Sequence, residues 1–186
     1  MQFRLNRVLP LLLVSSLALT SGCIFSPDKK PPTVKPPIEY LAPVSPGNVL
    51  LNLIKSYEAR DSIQTGLVYD ADYQGSSTDP SLPQPTVNFL REDEIHHVHR
   101  LHDDPNIVGV TLDLGPTATW VVLPPNAGDP ADWVVINTNI QTVQITDNAQ
   151  GTNYASSNRL IEWTFKPTTN GSTTTWTVIR WTERIN

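Results

Sequence analysis

One cysteine is all that the 186 residues contain. A disulfide within the chain is therefore excluded, and packing and hydrogen bonds must hold whatever fold forms. Glycine is also scarce, with nine residues scattered singly, so no glycine-rich phosphate loop is present. A Gly-x-Ser-x-Gly elbow is missing as well, which removes the usual frame for a nucleophilic serine. Basic residues are outnumbered, 13 Lys and Arg against 18 Asp and Glu, for a net charge of −5. Such an acidic balance argues against nucleic acid as a partner, because phosphate backbones demand basic patches. It argues equally against electrostatic adhesion to anionic lipid headgroups.

What the chain does have begins at its N-terminus. Arg4 and Arg7 stand in a stretch without acids, and the apolar run around Leu11, Leu12, Leu13 and Val14 follows. Charged and then apolar is the layout of a secretory signal peptide. As a membrane span the run is too short, since about 20 apolar residues are needed and Pro10 interrupts it. The run closes on Leu19-Thr20-Ser21-Gly22-Cys23. This resembles the lipobox of bacterial lipoproteins, although Thr20 stands where that family usually has Leu. The resemblance implies cleavage after Gly22 and acylation of Cys23, which would tether the protein to a lipid membrane. Ordinary signal-peptidase cleavage after Gly22 is the alternative, as Thr20 and Gly22 also read as small-x-small. By analogy with Gram-negative lipoproteins, Ile24 in place of Asp points to the outer membrane. Loss of residues 1–22, which carry two Arg and no acid, would leave the rest at −7.

Residues 24–46 hold seven of the 17 prolines. That composition favours an extended spacer over a packed core, so residues 23–44 read as lipidated cysteine plus linker and 45–186 as one domain. Ser45 and Pro46 then open a helix with Val49, Leu50, Leu53, Ile54 and Tyr57 on one stripe. Asp61 caps a shorter second helix, and a brief strand is expected over 70–75. The third helix runs from Glu92 to about His102, with Glu92, Asp93 and Glu94 in its first turn, where the dipole favours negative charge. After Pro105 the pattern is β, with Asn170-Gly171 marking a hairpin. Val134, Ile136 and Ile140 are even-numbered, whereas Val143 and Ile145 are odd. A strand cannot change faces without an extra residue, so a bulge is expected near Gln141–Thr142.

Helices first and a long bent antiparallel sheet second is an α+β order. In detail the chain resembles the NTF2-like (SnoaL-like, cystatin-like) superfamily, and within it small bacterial lipoproteins. The matching positions are Ser45-Pro46 with Asn48-Val49-Leu50, Tyr57 with Arg60-Asp61, Arg91 to Leu101, and the closing Trp176, Ile179, Trp181 and Glu183. The resemblance implies a cone, with about three helices on a curved, bulged sheet and a pocket at the open end. Across that superfamily the pocket serves isomerases, cyclases, dehydratases, ligand binders and bare scaffolds, so fold alone does not select a function. Dimerisation is a further expectation from the resemblance.

Candidate pocket residues are Tyr57, His99, His102, Asp113 and Trp163. Asp79, before Pro80, stands loosely where steroid isomerases of the superfamily carry an Asp-Pro, but the surrounding Gly-Ser-Ser-Thr reads as a turn. All four histidines fall between 96 and 102. Spacing of three residues aligns His96, His99 and His102, and imidazoles a turn apart suit Zn, Cu or Ni, but the site lacks a complete ligand set. No cofactor and no catalytic residue is assigned, and His96 and His97 are expected to face water. The reading is a membrane-anchored, non-enzymatic binding or interaction module for an unknown small molecule or protein, with an isomerase or cyclase using the cone as the alternative.

Overall fold

A computed structural model describes residues 37–78, 86–149, 152–156 and 159–184, with backbone alone for 152–156 and 184. Cys23 and Asp79 lie outside the described residues. The compact unit begins at Ile38. Ahead of Ser45, the last part of the expected spacer is already fastened to the domain. The Asn52 side chain accepts from Leu41 N–H and donates to Leu41 C=O, both at 2.8 Å. Trp176 N–H donates to the Pro43 carbonyl at 2.9 Å.

Helix α1 spans Pro46–Ala59, with the Ser45 side chain accepting from Asn48 N–H. It ends at Arg60, whose φ of 58° is left-handed. That conformation is unusual for a residue with a side chain. Here the guanidinium is anchored on the Ile107 carbonyl at 2.5 Å, which ties the helix end to the start of the sheet. Asp61 caps α2, Ser62–Val68, by accepting from Gln64 N–H. Strands β1, Tyr69–Thr78, and β2, Thr86–Leu90, follow, then α3, Arg91–Asp103. The remaining strands are β3 Ile107–Asp113, β4 Val121–Leu123, β5 Val134–Ile140, β6 Thr142–Asp147, β7 Thr152–Ser156, β8 Arg159–Asn170 and β9 Thr173–Arg184.

Hydrogen bonding divides these strands between a sheet ordered β2-β1-β9-β8-β5-β4 and one ordered β3-β6-β7. The expected bulge marks their junction. Gln141 interrupts the chain between β5 and β6, and its N–H donates to the Asp113 carbonyl instead. One extra residue thus turns the strand's apolar face and its partners together. The sheet is mixed rather than antiparallel throughout, because β1 pairs with β9 in parallel. These strands are the first and last of the fold, so no hairpin dictates their relative direction. The β8–β9 hairpin does turn where expected, through Gly171 at φ 62°.

The core lies between α1 and the inner face of the larger sheet. Val49, Leu50 and Leu53 cluster there with Ile136, Ile161, Trp163, Phe165 and Val178. Full burial of each aliphatic or Phe side chain contributes roughly 1.5–3 kcal/mol. Between this core and α3 lie two adjoining cavities. Among the described residues no helix is long and apolar enough to cross a membrane.

Candidate functional site

Positions 94, 97, 98 and 101 of α3 recur at helical spacing and share one face. Val98 and Leu101 on it are buried core. Glu94 and His97 therefore point inward with them, one turn apart. The helix is set in place at its N-terminal end. Asp93 accepts from Leu90 N–H at 2.8 Å, and Arg91 donates to the Gly66 carbonyl at 2.6 Å. Glycine at 66 permits this approach, since a Cβ there would lie 3.0 Å from Ile95 Cδ1.

Glu94 is held by the sheet. Its Oε1 accepts from Tyr73 Oη at 2.7 Å and from Trp181 Nε1 at 3.0 Å. Tyr73 and Trp181 come from neighbouring strands, β1 and β9, and converge above Gly75. A Cβ at Gly75 would stand 2.7 Å from Trp181 Nε1 and closer still to Tyr73 Oη. Glycine thus makes room for the two donors. The Trp181 ring is steadied by Phe89 of β2, stacked at 5.8 Å between centroids. Burial raises the Glu94 carboxyl above its ordinary range, outweighing the two hydrogen bonds that stabilise its anion. No described residue donates to Oε2, and no described cation pairs with the carboxylate.

Beside it, Tyr57 Oη and His97 Nε2 are 2.6 Å apart, with their rings stacked. Burial, followed by the nearby Arg100 guanidinium, lowers the His97 pKa and favours neutral imidazole. Burial, with the Glu94 charge second, raises the Tyr57 phenol. Both partners are therefore held neutral, and either imidazole tautomer can make the bond.

These groups lie at the junction of two cavities. The outer vestibule, about 480 Å³, is lined by Asn88, Phe89, Asp93, His97 and Arg100 together with Tyr57, Glu94 and Trp181. The inner chamber, about 200 Å³, shares those last three residues and is otherwise apolar, with Tyr69, Leu112, Leu114, Ile140, Val143 and Trp163 among its walls. A polar cavity beside an apolar one, with a few convergent polar groups shared between them, is the usual build of a small-molecule site.

Of the residues singled out in the sequence, Tyr57 and Trp163 line these cavities. Trp163 also donates from Nε1 to Thr138 Oγ1 at 2.9 Å. The other three do not reach them. His99 is exposed and pairs with Asp103 at 3.2 Å, His102 is exposed, and Asp113 is exposed with its carboxylate accepting from Gly115 N–H. His97, expected to face water, faces the cavity, because it lies four residues before Leu101 on the buried stripe. Among the described residues no group of three or more His, Cys, Asp and Glu side chains is placed to hold a metal. Sequence reasoning misses Glu94 and Tyr73. The helix dipole accounts for Glu94 on its own, yet an acid four residues before Val98 and seven before Leu101 is an acid on an apolar stripe.

No family model matches the sequence, and no curated protein matches it. Solved structures do match. An NTF2-like protein of unknown function in nutrient uptake from Rhodospirillum rubrum is 11% identical, with a TM-score of 0.53 over 75% of this chain and 97% of its own. ActVI-ORFA from Streptomyces coelicolor is 10% identical at a TM-score of 0.50, over 73% of this chain and 90% of that one. Aln2 from a Streptomyces species is 9% identical at a TM-score of 0.50, over 74% and 85%. At such identities the likeness speaks for fold and leaves function open. The described domain has the α+β cone of NTF2-like proteins.

Proposed function

We propose that this protein is a lipid-anchored component of the cell envelope whose cone binds a small, largely apolar molecule. The observation that carries the binding reading is the pair of adjoining cavities with Glu94 lining both, one of its oxygens clamped and the other without a donor among the described residues. An apolar body in the inner chamber gains from leaving water, and a polar group on it is fixed by Glu94 and the Tyr57–His97 pair. The anchor rests on the lipobox-like sequence ending at Cys23, and the outer membrane is its site in a Gram-negative host. A native mass spectrum of the protein taken from its own envelope tests the binding reading. A bound small molecule is expected, and Ile140→Trp, which fills the inner chamber, is expected to expel it. An unchanged occupied fraction in that variant would exclude the chamber as the site.

A second reading is favoured by the chemistry of Glu94. A cavity-lining carboxyl raised by burial, with one oxygen that no described residue bonds and a neutral Tyr–His pair beside it, is suited to move a proton. Isomerisation or cyclisation of a small carbonyl compound is the matching reaction class.

A further inference from the structure

We infer that the inner chamber takes a small organic cation, an ammonium group with apolar substituents, seated against Glu94. This rests on the reading of the cone as a ligand site and adds the charge of the occupant.

Charges withdrawn from water are ordinarily paired, since burial of a lone ion is costly. Glu94 departs from that rule. Its carboxylate lies on the buried face of α3, and its only described partners, Tyr73 and Trp181, are neutral donors to one oxygen. Every ion pair among the described residues lies elsewhere. Among the cavity-lining residues Arg100 is the one cation. It is exposed and lines the outer vestibule, not the inner chamber. Its influence falls on His97.

The walls supply the second half of the argument. The chamber carries Tyr57, Tyr69, Trp163 and Trp181 around the carboxylate. The two indoles meet at 43° with centroids 6.2 Å apart, which forms an aromatic corner. Aromatic faces carry negative quadrupole charge and attract ammonium groups that have shed water, and Trp does so best. An acid and four aromatic rings around about 200 Å³ therefore favour a cation with a greasy surface over a neutral or anionic molecule of equal size. At the vestibule Asp93 is offset by Arg100, so the preference is set by Glu94 and the rings of the chamber.

The test uses two probes of one shape: choline, and its uncharged isostere in which carbon replaces nitrogen. Titration of each into the full-length protein is followed by calorimetry and by the Trp181 indole N–H resonance. Choline is expected to bind roughly tenfold or more tightly than the isostere and to move that resonance. Glu94→Gln, whose amide oxygen can still accept from Tyr73 and Trp181, is expected to erase the preference. Equal binding of the two probes by the native protein would overturn the cation while leaving the pocket intact, and this comparison stands even if the variant does not fold. Binding of neither probe, in a protein whose native occupant is expelled by Ile140→Trp, would also overturn it.

Discussion

The Glu94 carboxyl lies in a setting that favours its neutral acid, and this has a consequence for stability. Burial raises its pKa in the folded state above the ordinary 4.5. Below that ordinary value both folded and unfolded chains carry the proton, and the site is at its most favourable. As pH rises through the raised pKa, the folded state must bear a charge that the unfolded state bears more easily in water, and stability falls. Each unit of elevation corresponds to about 1.4 kcal/mol. Glu94→Gln removes this titration. Its urea midpoint relative to the native protein is expected to climb as pH rises from 4 to 8. The difference isolates Glu94 from the other groups around it, Tyr57, Tyr69, Tyr73, Asp93 and His97, which both proteins share. A difference that stays flat across that range would contradict a desolvated carboxyl. Asp70 titrates with the opposite sign. Burial works against its anion, but Asp72 N–H, Lys166 and Thr177 more than compensate and lower the pKa, so its contribution is lost only in acid. At this scale the sequence is partly legible. Tyr57 stands on a clear apolar stripe. His99 and His102 draw attention by their chemistry, although one residue along a helix rotates a side chain by about 100° and their positions fall outside the buried face.

Strand β1 shows what an element adds to its residues. Tyr73 and Gly75 are two apart and face the same side, so the glycine lies beneath the tyrosine's hydroxyl. The parallel neighbour β9 places Trp181 opposite Gly75. Cross-strand register, and not local pattern, thus brings two donors to one carboxylate oxygen. Gly75→Ala would ordinarily help a strand by reducing backbone entropy in the unfolded chain. Here its Cβ would intrude on both donors. Overpacking of this kind costs roughly 1–3 kcal/mol. The variant is therefore expected to be less stable in urea, with a displaced Trp181 indole N–H resonance. A gain in stability with an unmoved resonance would show that the space above Gly75 is not tight. The same dependence on distant partners explains the limits of sequence reading for the elements. The first two helices follow from caps, the third from acids in its first turn, and the turn at Gln141 from a change of apolar phase, all local signals. Strand β2 has no such signal, because Thr86–Leu90 is half exposed and its pattern matters only beside β1. The parallel pairing of β1 with β9 joins residues about a hundred positions apart, and no local pattern specifies it.

For the molecule as a whole, charge bears on how it would be held. Without residues 1–22 the chain carries −7, and basic residues that could grip anionic headgroups are outnumbered. Retention would then rest on acyl chains at Cys23. One chain gives marginal binding, and two or more give stable attachment. Two outcomes follow from this division. A high-salt wash is expected to leave the native protein in the membrane fraction, since screening removes repulsion and no attraction. Cys23→Ser is expected to move it wholly to the soluble fraction with its folded domain unaltered, as judged by an unchanged urea midpoint. The unchanged midpoint matters to the argument, because unfolding could also change the fraction in which a protein is found. A Cys23→Ser protein that has lost residues 1–22 yet stays membrane-bound and folded would point instead to the exposed aliphatic residues of β4, Val121, Val122 and Leu123, as the holding surface.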